Sequence, residues 1–230
     1  MNWQTKSLYD VNGFVKDIQS TITENCLVAF ICADPYDYSL NDAYQLDISR
    51  MLIDIGKSAK QFTLVDNRFT GDIKQTLINS NLVFLAGGHV PTQNAFFHHL
   101  NLKEALHDFD GVLVAMSAGS MNSADCVYAQ PEEDGEALDV NYQKFIQGLG
   151  MTSINIIPHY QAVKDKLLDG LRLYEDITYN DSYGKQFYCL VDGSYLMGDT
   201  KGRELIKGES YLISNGSLQQ LTKEGEIYYF

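Results

Sequence analysis

The sequence is short of positive charge, of proline, of paired cysteines and of long apolar runs, and each shortage excludes something. Seventeen Lys and Arg stand against thirty Asp and Glu, giving a formal net charge of −13. No cluster of Lys or Arg rises out of that background, so neither nucleic acid nor an anionic membrane is expected as a partner, because binding phosphate needs concentrated positive charge. Only four prolines occur in 230 residues, and charged residues make up 20% against 12% aromatics. That balance does not describe a disordered chain. The four cysteines, Cys26, Cys32, Cys126 and Cys189, show no C-x-x-C spacing and three of them lie in or beside apolar runs. They read as reduced structural thiols rather than as disulfide or metal ligands, and no metal or cofactor is expected. No apolar stretch approaches the roughly 18–20 residues that span a bilayer. The N-terminal stretch has no basic segment leading into an apolar core, so no secretory signal is expected and the location implied is cytoplasmic.

What is present is a chain that is 45% hydrophobic and long enough for a sizeable core. Its apolar runs are short and continuous. "LVAFICA" (27–33), "QFTLVD" (61–66), "LVFLAGG" (82–88) and "VLVAM" (112–116) suit parallel strands covered on both faces. Helical segments are predicted between them over 40–56, 72–80 and 91–109. In the first, Ala43, Leu46, Asp47, Arg50, Ile53 and Asp54 step at helical spacing, and Gly56 is a candidate C-cap. This alternation predicts an α/β fold, a doubly wound and mainly parallel sheet with helices on both faces. "INIIPHY" (154–160) reads as a further strand. The last third is β-rich, and Asn215-Gly216 marks a hairpin turn. One domain is expected over 1–230, its core about 27–200 and a C-terminal β-hairpin extension about 201–230.

In open α/β sheets ligands collect beyond the carboxyl ends of the strands. Three such ends carry unusual residues: Gly87-Gly88-His89, Ser117-Ala118-Gly119 and Pro158-His159-Tyr160. A serine on a strand-to-helix turn has the context of a nucleophile elbow, and "AMSAG" differs from G-x-S-x-G only at Ala115. A serine there also serves as a helix N-cap, and both readings stand. A serine nucleophile needs a base. Of the five histidines, His98, His99 and His107 fall on a predicted helix and its end, whereas His159 closes a strand and can lean toward a neighbouring strand end. An acyl-transfer intermediate needs backbone N–H donors, which the Gly87-Gly88 pair and Ala118 can offer. Each feature alone has a structural reading, as a satisfied histidine or a plain glycine turn.

In "LVFLAGGHVPTQN", "VLVAMSAGSMNSA" and "INIIPHY", taken in that order, the sequence resembles the peptidase E and cyanophycinase-type serine peptidases, which share the class I glutamine amidotransferase-like, flavodoxin-like fold. The resemblance covers about residues 27–200. It implies a Ser–His pair with a carboxylate between them in sequence, cleavage of dipeptides or short peptides through an acyl-enzyme, and a small peptide as partner. Carried onto this chain, Ser117 is the nucleophile, His159 the general base, and Gly88 and Ala118 the oxyanion donors. The family's carboxylate follows the serine by roughly fifteen residues, which points to Glu132, with Glu133, Asp134 and Glu136 as rivals in the same acidic stretch. Gly87, His89 and Arg172 are candidate substrate-binding residues. His89 stands where the family has asparagine. The segment after His159 offers Lys164, Lys166 and Arg172 without a clear match to the family's arginine motif, and the two lysines read as surface charges of a helix.

Two enzyme rivals fit less well. A glutamine amidotransferase would need a cysteine where Ser117 stands and a carboxylate where Gln161 stands. A lipase-like α/β-hydrolase expects a longer chain. The alternative from another class is a catalytically silent binding or regulatory protein on the same fold. The sequence leaves monomer and homo-oligomer both open.

Overall fold

The continuous apolar runs fold as parallel strands: β1 (Asn25–Ile31), β2 (Ser58–Val65), β3 (Leu82–Leu85) and β4 (Val112–Ala115). The computed structural model describes Ser7, Leu8 and residues 10–230, so part of the stretch read for a secretory signal lies outside it. The chain divides into two compact units, Met1–Asn122 and Ser123–Phe230. Among the described residues no helix is long and apolar enough to cross a membrane.

In the first unit the strands lie in the order β2-β1-β3-β4, all parallel. Every residue of β3 is buried, as is Val28–Ile31 of β1, which is why these strands carry no polar alternation. The helices are α1 (Phe14–Thr21), α2 (Tyr38–Asp54), α3 (Ile73–Ile78), α4 (Val90–His99), α5 (Leu102–Leu106) and α6 (Ala118–Asn122). Asp37 and Asp72 cap α2 and α3 by accepting from the N–H groups of Leu40 and Gln75. Gly56, at φ 72°, follows α2, and the Lys57 N–H closes back on the Leu52 carbonyl at 2.8 Å. The stripe read from the sequence of α2 is largely its outer side: Leu46 and Ile53 are exposed, while Ile48, Met51 and Leu52 enter the core with Asp47 beside them. The helix predicted over 91–109 is two, because Asn101 turns left-handed at φ 53° between α4 and α5.

The second unit departs from the parallel expectation. Its strands are β5 (Cys126–Tyr128), β6 (Phe145–Gln147), β7 (Asn155–Ile157), β8 (Leu167–Leu168), β9 (Leu171–Arg172), β10 (Gln186–Leu190), β11 (Tyr195–Gly198), β12 (Glu204–Lys207), β13 (Ser210–Ser214), β14 (Ser217–Thr222) and β15 (Ile227–Tyr229). One sheet runs β14-β13-β10-β7, with β10 parallel to β7 and antiparallel to β13. The Asn215-Gly216 turn is the expected one, both residues at positive φ (49° and 76°), and it joins β13 to β14. That hairpin is no appendage, since β13 pairs along the whole of β10. Tyr128, Ile157, Leu173, Tyr174, Phe187 and Ile213 centre the core, with Tyr128 stacked on Phe187 at 4.3 Å between ring centroids. The expected surface helix carrying Lys164 and Lys166 is absent. After the single turn α7 (Tyr160–Val163) the chain makes the β8–β9 hairpin, because Asp169-Gly170 takes a left-handed turn (φ 52° and 82°). Leu173–Thr178 then winds as a π-helix into α8 (Tyr179–Asp181).

Candidate active site

Parallel pairing makes the carboxyl ends of neighbouring strands level, and each unit uses this once. In the first, Leu85 of β3 pairs with Ala115 of β4, so Gly87 and Ser117 emerge side by side, each two residues beyond its paired strand position. A Cβ built on Gly87 would stand 3.2 Å from the Ser117 Cβ, a tight approach that would push the two turns apart by a few tenths of an ångström. The Met116 N–H donates to the Leu85 carbonyl and the Gly119 N–H to that of Ala86, which draws the start of α6 down onto the end of β3.

Ser117 has φ 47°, in the left-handed region that non-glycine residues enter at a cost of about 1–2 kcal/mol. An N-cap residue has extended backbone, so this is the backbone of a sharp elbow rather than of an ordinary cap. Ser117 is half-buried, and its carbonyl accepts from the Ser120 hydroxyl (2.6 Å) and the Met121 N–H (3.1 Å). Ala118, fully buried, opens α6, so its N–H is among those a helix leaves without an intrahelical partner. Gly88 is exposed at φ 155°, and a Cβ there would come within 2.5 Å of Ala33. His89 precedes α4, its Nδ1 2.7 Å from the Thr92 hydroxyl.

Behind the two turns lies a buried set of amides that the sequence did not announce. Gln93 Nε2 donates to the Ala86 carbonyl at 2.7 Å, and Asn122 Nδ2 donates to Gln93 Oε1 and to the Val90 carbonyl. Asn94 Nδ2 donates to Asn122 Oδ1 at 3.0 Å. Gln93 and Asn122 are fully buried, and together these bonds tie the end of β3 to α4 and to the end of α6.

In the second unit β7 and β10 pair in parallel with Ile157 level with Cys189. His159 and Asp192 leave those two strand ends, and His159 Nδ1 lies 2.6 Å from Asp192 Oδ1. The imidazole beside it holds the Asp192 carboxyl below the usual carboxylate range, against the opposing pull of desolvation. His159 is itself left-handed, at φ 60°, which turns the chain sharply from β7 into α7. Gln161 Oε1 accepts from the Asp192 N–H at 3.0 Å. The carboxylate on Nδ1 thus lies thirty-three residues after the histidine.

Within its own unit the acidic stretch containing Glu132 makes several hydrogen bonds. The N–H groups of Glu132 and Glu133 donate to the Glu136 carboxylate, and the Glu132 carbonyl accepts from Lys166 Nζ at 2.9 Å. Asp169 accepts from the N–H groups of Gly135 and Ala137, fastening this loop to the β8–β9 turn, with Asp134 at its exposed bend. Arg172 spends its guanidinium on Asp176, in two bonds of 3.0 and 2.6 Å. Lys164 pairs with Asp165. Burial pushes the thiols of Cys32 and Cys189 up to about 12, which removes both as thiolate nucleophiles at neutral pH.

No family profile matches the chain, and no curated protein matches it in sequence. Comparison with solved structures does find a relation: the 1.5 Å crystal structure of a candidate peptidase E from Listeria monocytogenes EGD-e superposes with a TM-score of 0.54. The match covers 93% of this chain and 94% of that one at 17% sequence identity. The chain shares that protein's fold. The likeness runs through both units, the first with its four-stranded parallel sheet and the second with mixed and antiparallel sheets.

Proposed function

We propose that the protein is a serine-type hydrolase of the peptidase E kind, cleaving dipeptides or short peptides through an acyl-enzyme on Ser117. The observation that carries the reading is the 2.6 Å contact of His159 Nδ1 with Asp192. A carboxylate on Nδ1 fixes the proton there, leaves Nε2 as the acceptor and stabilises the imidazolium once it forms. Asp192 is therefore our orienting acid in place of Glu132. The left-handed elbow at Ser117 and the peptidase E-like fold support the same reading.

In the reaction, His159 Nε2 takes the hydroxyl proton as Ser117 Oγ attacks the carbonyl carbon of the substrate. The oxyanion is met by the N–H groups of Gly88 and Ala118. The imidazolium hands its proton to the departing amine, and water, deprotonated by the same nitrogen, releases the acyl group. In the proposal Gly87 and His89, at the turn after β3, contact the substrate near its carbonyl. Arg172 is a weaker candidate for the substrate, since binding an acidic side chain means taking its guanidinium from Asp176.

A fluorophosphonate probe tests the proposal directly. Covalent labelling mapped by mass spectrometry to Ser117, absent in Ser117→Ala and strongly slowed in His159→Ala, is the expected result. A chain that takes no label at Ser117 and hydrolyses nothing in a dipeptide screen would instead be a silent binding protein.

A further inference from the structure

Gln161 sits two residues after the histidine, at the start of α7, and it grips the same residue that His159 grips. The histidine side chain meets the Asp192 carboxylate through Nδ1, and the Gln161 side chain accepts from the Asp192 main-chain N–H. Two hydrogen bonds from one helical turn thus close a ring on a single aspartate. Asp192 is exposed, in the turn after β10, so where its carboxylate can reach depends on where that turn holds its main chain. Val191 N–H donates to the Glu209 carbonyl beside β13, Ser194 N–H closes the turn on the Val191 carbonyl, and Gln161 reaches the turn from α7.

We infer that Gln161 is a positioning residue: it sets the Asp192 carboxylate on His159 Nδ1 and so keeps the neutral imidazole protonated at Nδ1. The inference rests on the proposed function only for its catalytic consequence, since the hydrogen-bonded ring belongs to the second unit by itself. Gln161 is exposed, so replacing it removes nothing from a core.

The test compares the whole protein with Gln161→Met, which keeps the length and lacks the acceptor, and with Gln161→Glu, which keeps an acceptor. Imidazole nitrogen shifts, read by NMR at a pH where His159 is neutral, report which nitrogen carries the proton. In the starting protein and in Gln161→Glu the Nδ1–H form is expected to dominate. In Gln161→Met the two tautomers are expected to mix, and fluorophosphonate labelling of Ser117 to slow by about three- to tenfold, with most of the rate recovered in Gln161→Glu. An unchanged Nδ1–H signature in Gln161→Met overturns the inference. A changed signature in a protein whose Ser117 takes no label upholds the inference and sinks the proposed hydrolase instead.

Discussion

Ser117 pays a conformational cost that its neighbours do not, and this makes it separable from them by mutation. Glycine relieves a left-handed backbone at no Cβ penalty, though it adds chain entropy to the unfolded state. Ser117→Gly is therefore expected to leave stability unchanged or raise it by up to about 1 kcal/mol in urea unfolding, while abolishing fluorophosphonate labelling. Glycine in place of a serine that only capped α6 would cost a few tenths of a kcal/mol at most, so the loss of labelling is what separates the two roles. The second residue-scale prediction concerns Asp192. Asn at 192 keeps the size and the main-chain bond to Gln161 but offers His159 a neutral amide, so labelling of Ser117 in Asp192→Asn should fall by at least about tenfold with little change in unfolding midpoint. The analogous change Glu132→Gln should leave labelling within about twofold. The opposite ranking of the two variants would return the acid to the stretch after Gln130.

At the scale of elements, what holds the first unit's two turns together is the meeting of α6 with the end of β3. A Cβ on Gly119 would lie 2.7 Å from the Leu85 carbonyl oxygen and 2.8 Å from that of Ala86. Both are backbone, so Gly119→Ala has to lift α6 off the strand, at a cost of about 1–3 kcal/mol measured by urea titration. Asn122 holds the other end of the same helix. Asn122→Leu leaves Gln93 Oε1, the Val90 carbonyl and the Asn94 amide without the bonds described here, and a loss of about 2–4 kcal/mol is expected. Neither Asn122 nor Gln93 carries chemistry in the proposed reaction. Their effect on labelling should therefore track the loss of folded protein.

At the scale of the whole molecule, charge decides the response to acid. The carboxyls of Asp192 and Asp176 are held below their ordinary value, by His159 and by Arg172 respectively, and that of Asp176 comes down to about 2. A depressed folded-state value stabilises the protein above the unfolded value, about 3.9 for Asp, and the contribution disappears as pH falls through the folded one. Tm should accordingly hold between about pH 7 and 5 and decline below about pH 4. Both groups are partly or wholly exposed, so the decline they cause is small and weakens further in 1 M salt.

The strands of the first unit were legible because each is a short, continuous apolar run, a pattern that burial on both faces imposes whatever the rest of the chain does. The same holds for the turn at Asn215-Gly216 and for the placing of Ser117, His159 and the Gly87-Gly88 pair just beyond strand ends, since a strand end is written in adjacent residues. The break of the 91–109 helix at Asn101 was less visible, because a single left-handed asparagine is decided by what packs on either side of it. The hairpin after Val163 was missed for a similar reason: Asp169-Gly170 is a turn signal inside a stretch whose charges mimic a helix face. The sequence by itself therefore determined the parallel strands and which residue types stand at their ends. Only the tertiary structure decided that the Asp192 carboxylate meets His159 and that Gln161 accepts from the Asp192 N–H. Thirty-three residues separate Asp192 from His159, and the parallel pairing of β7 with β10 alone makes those two strand ends neighbours.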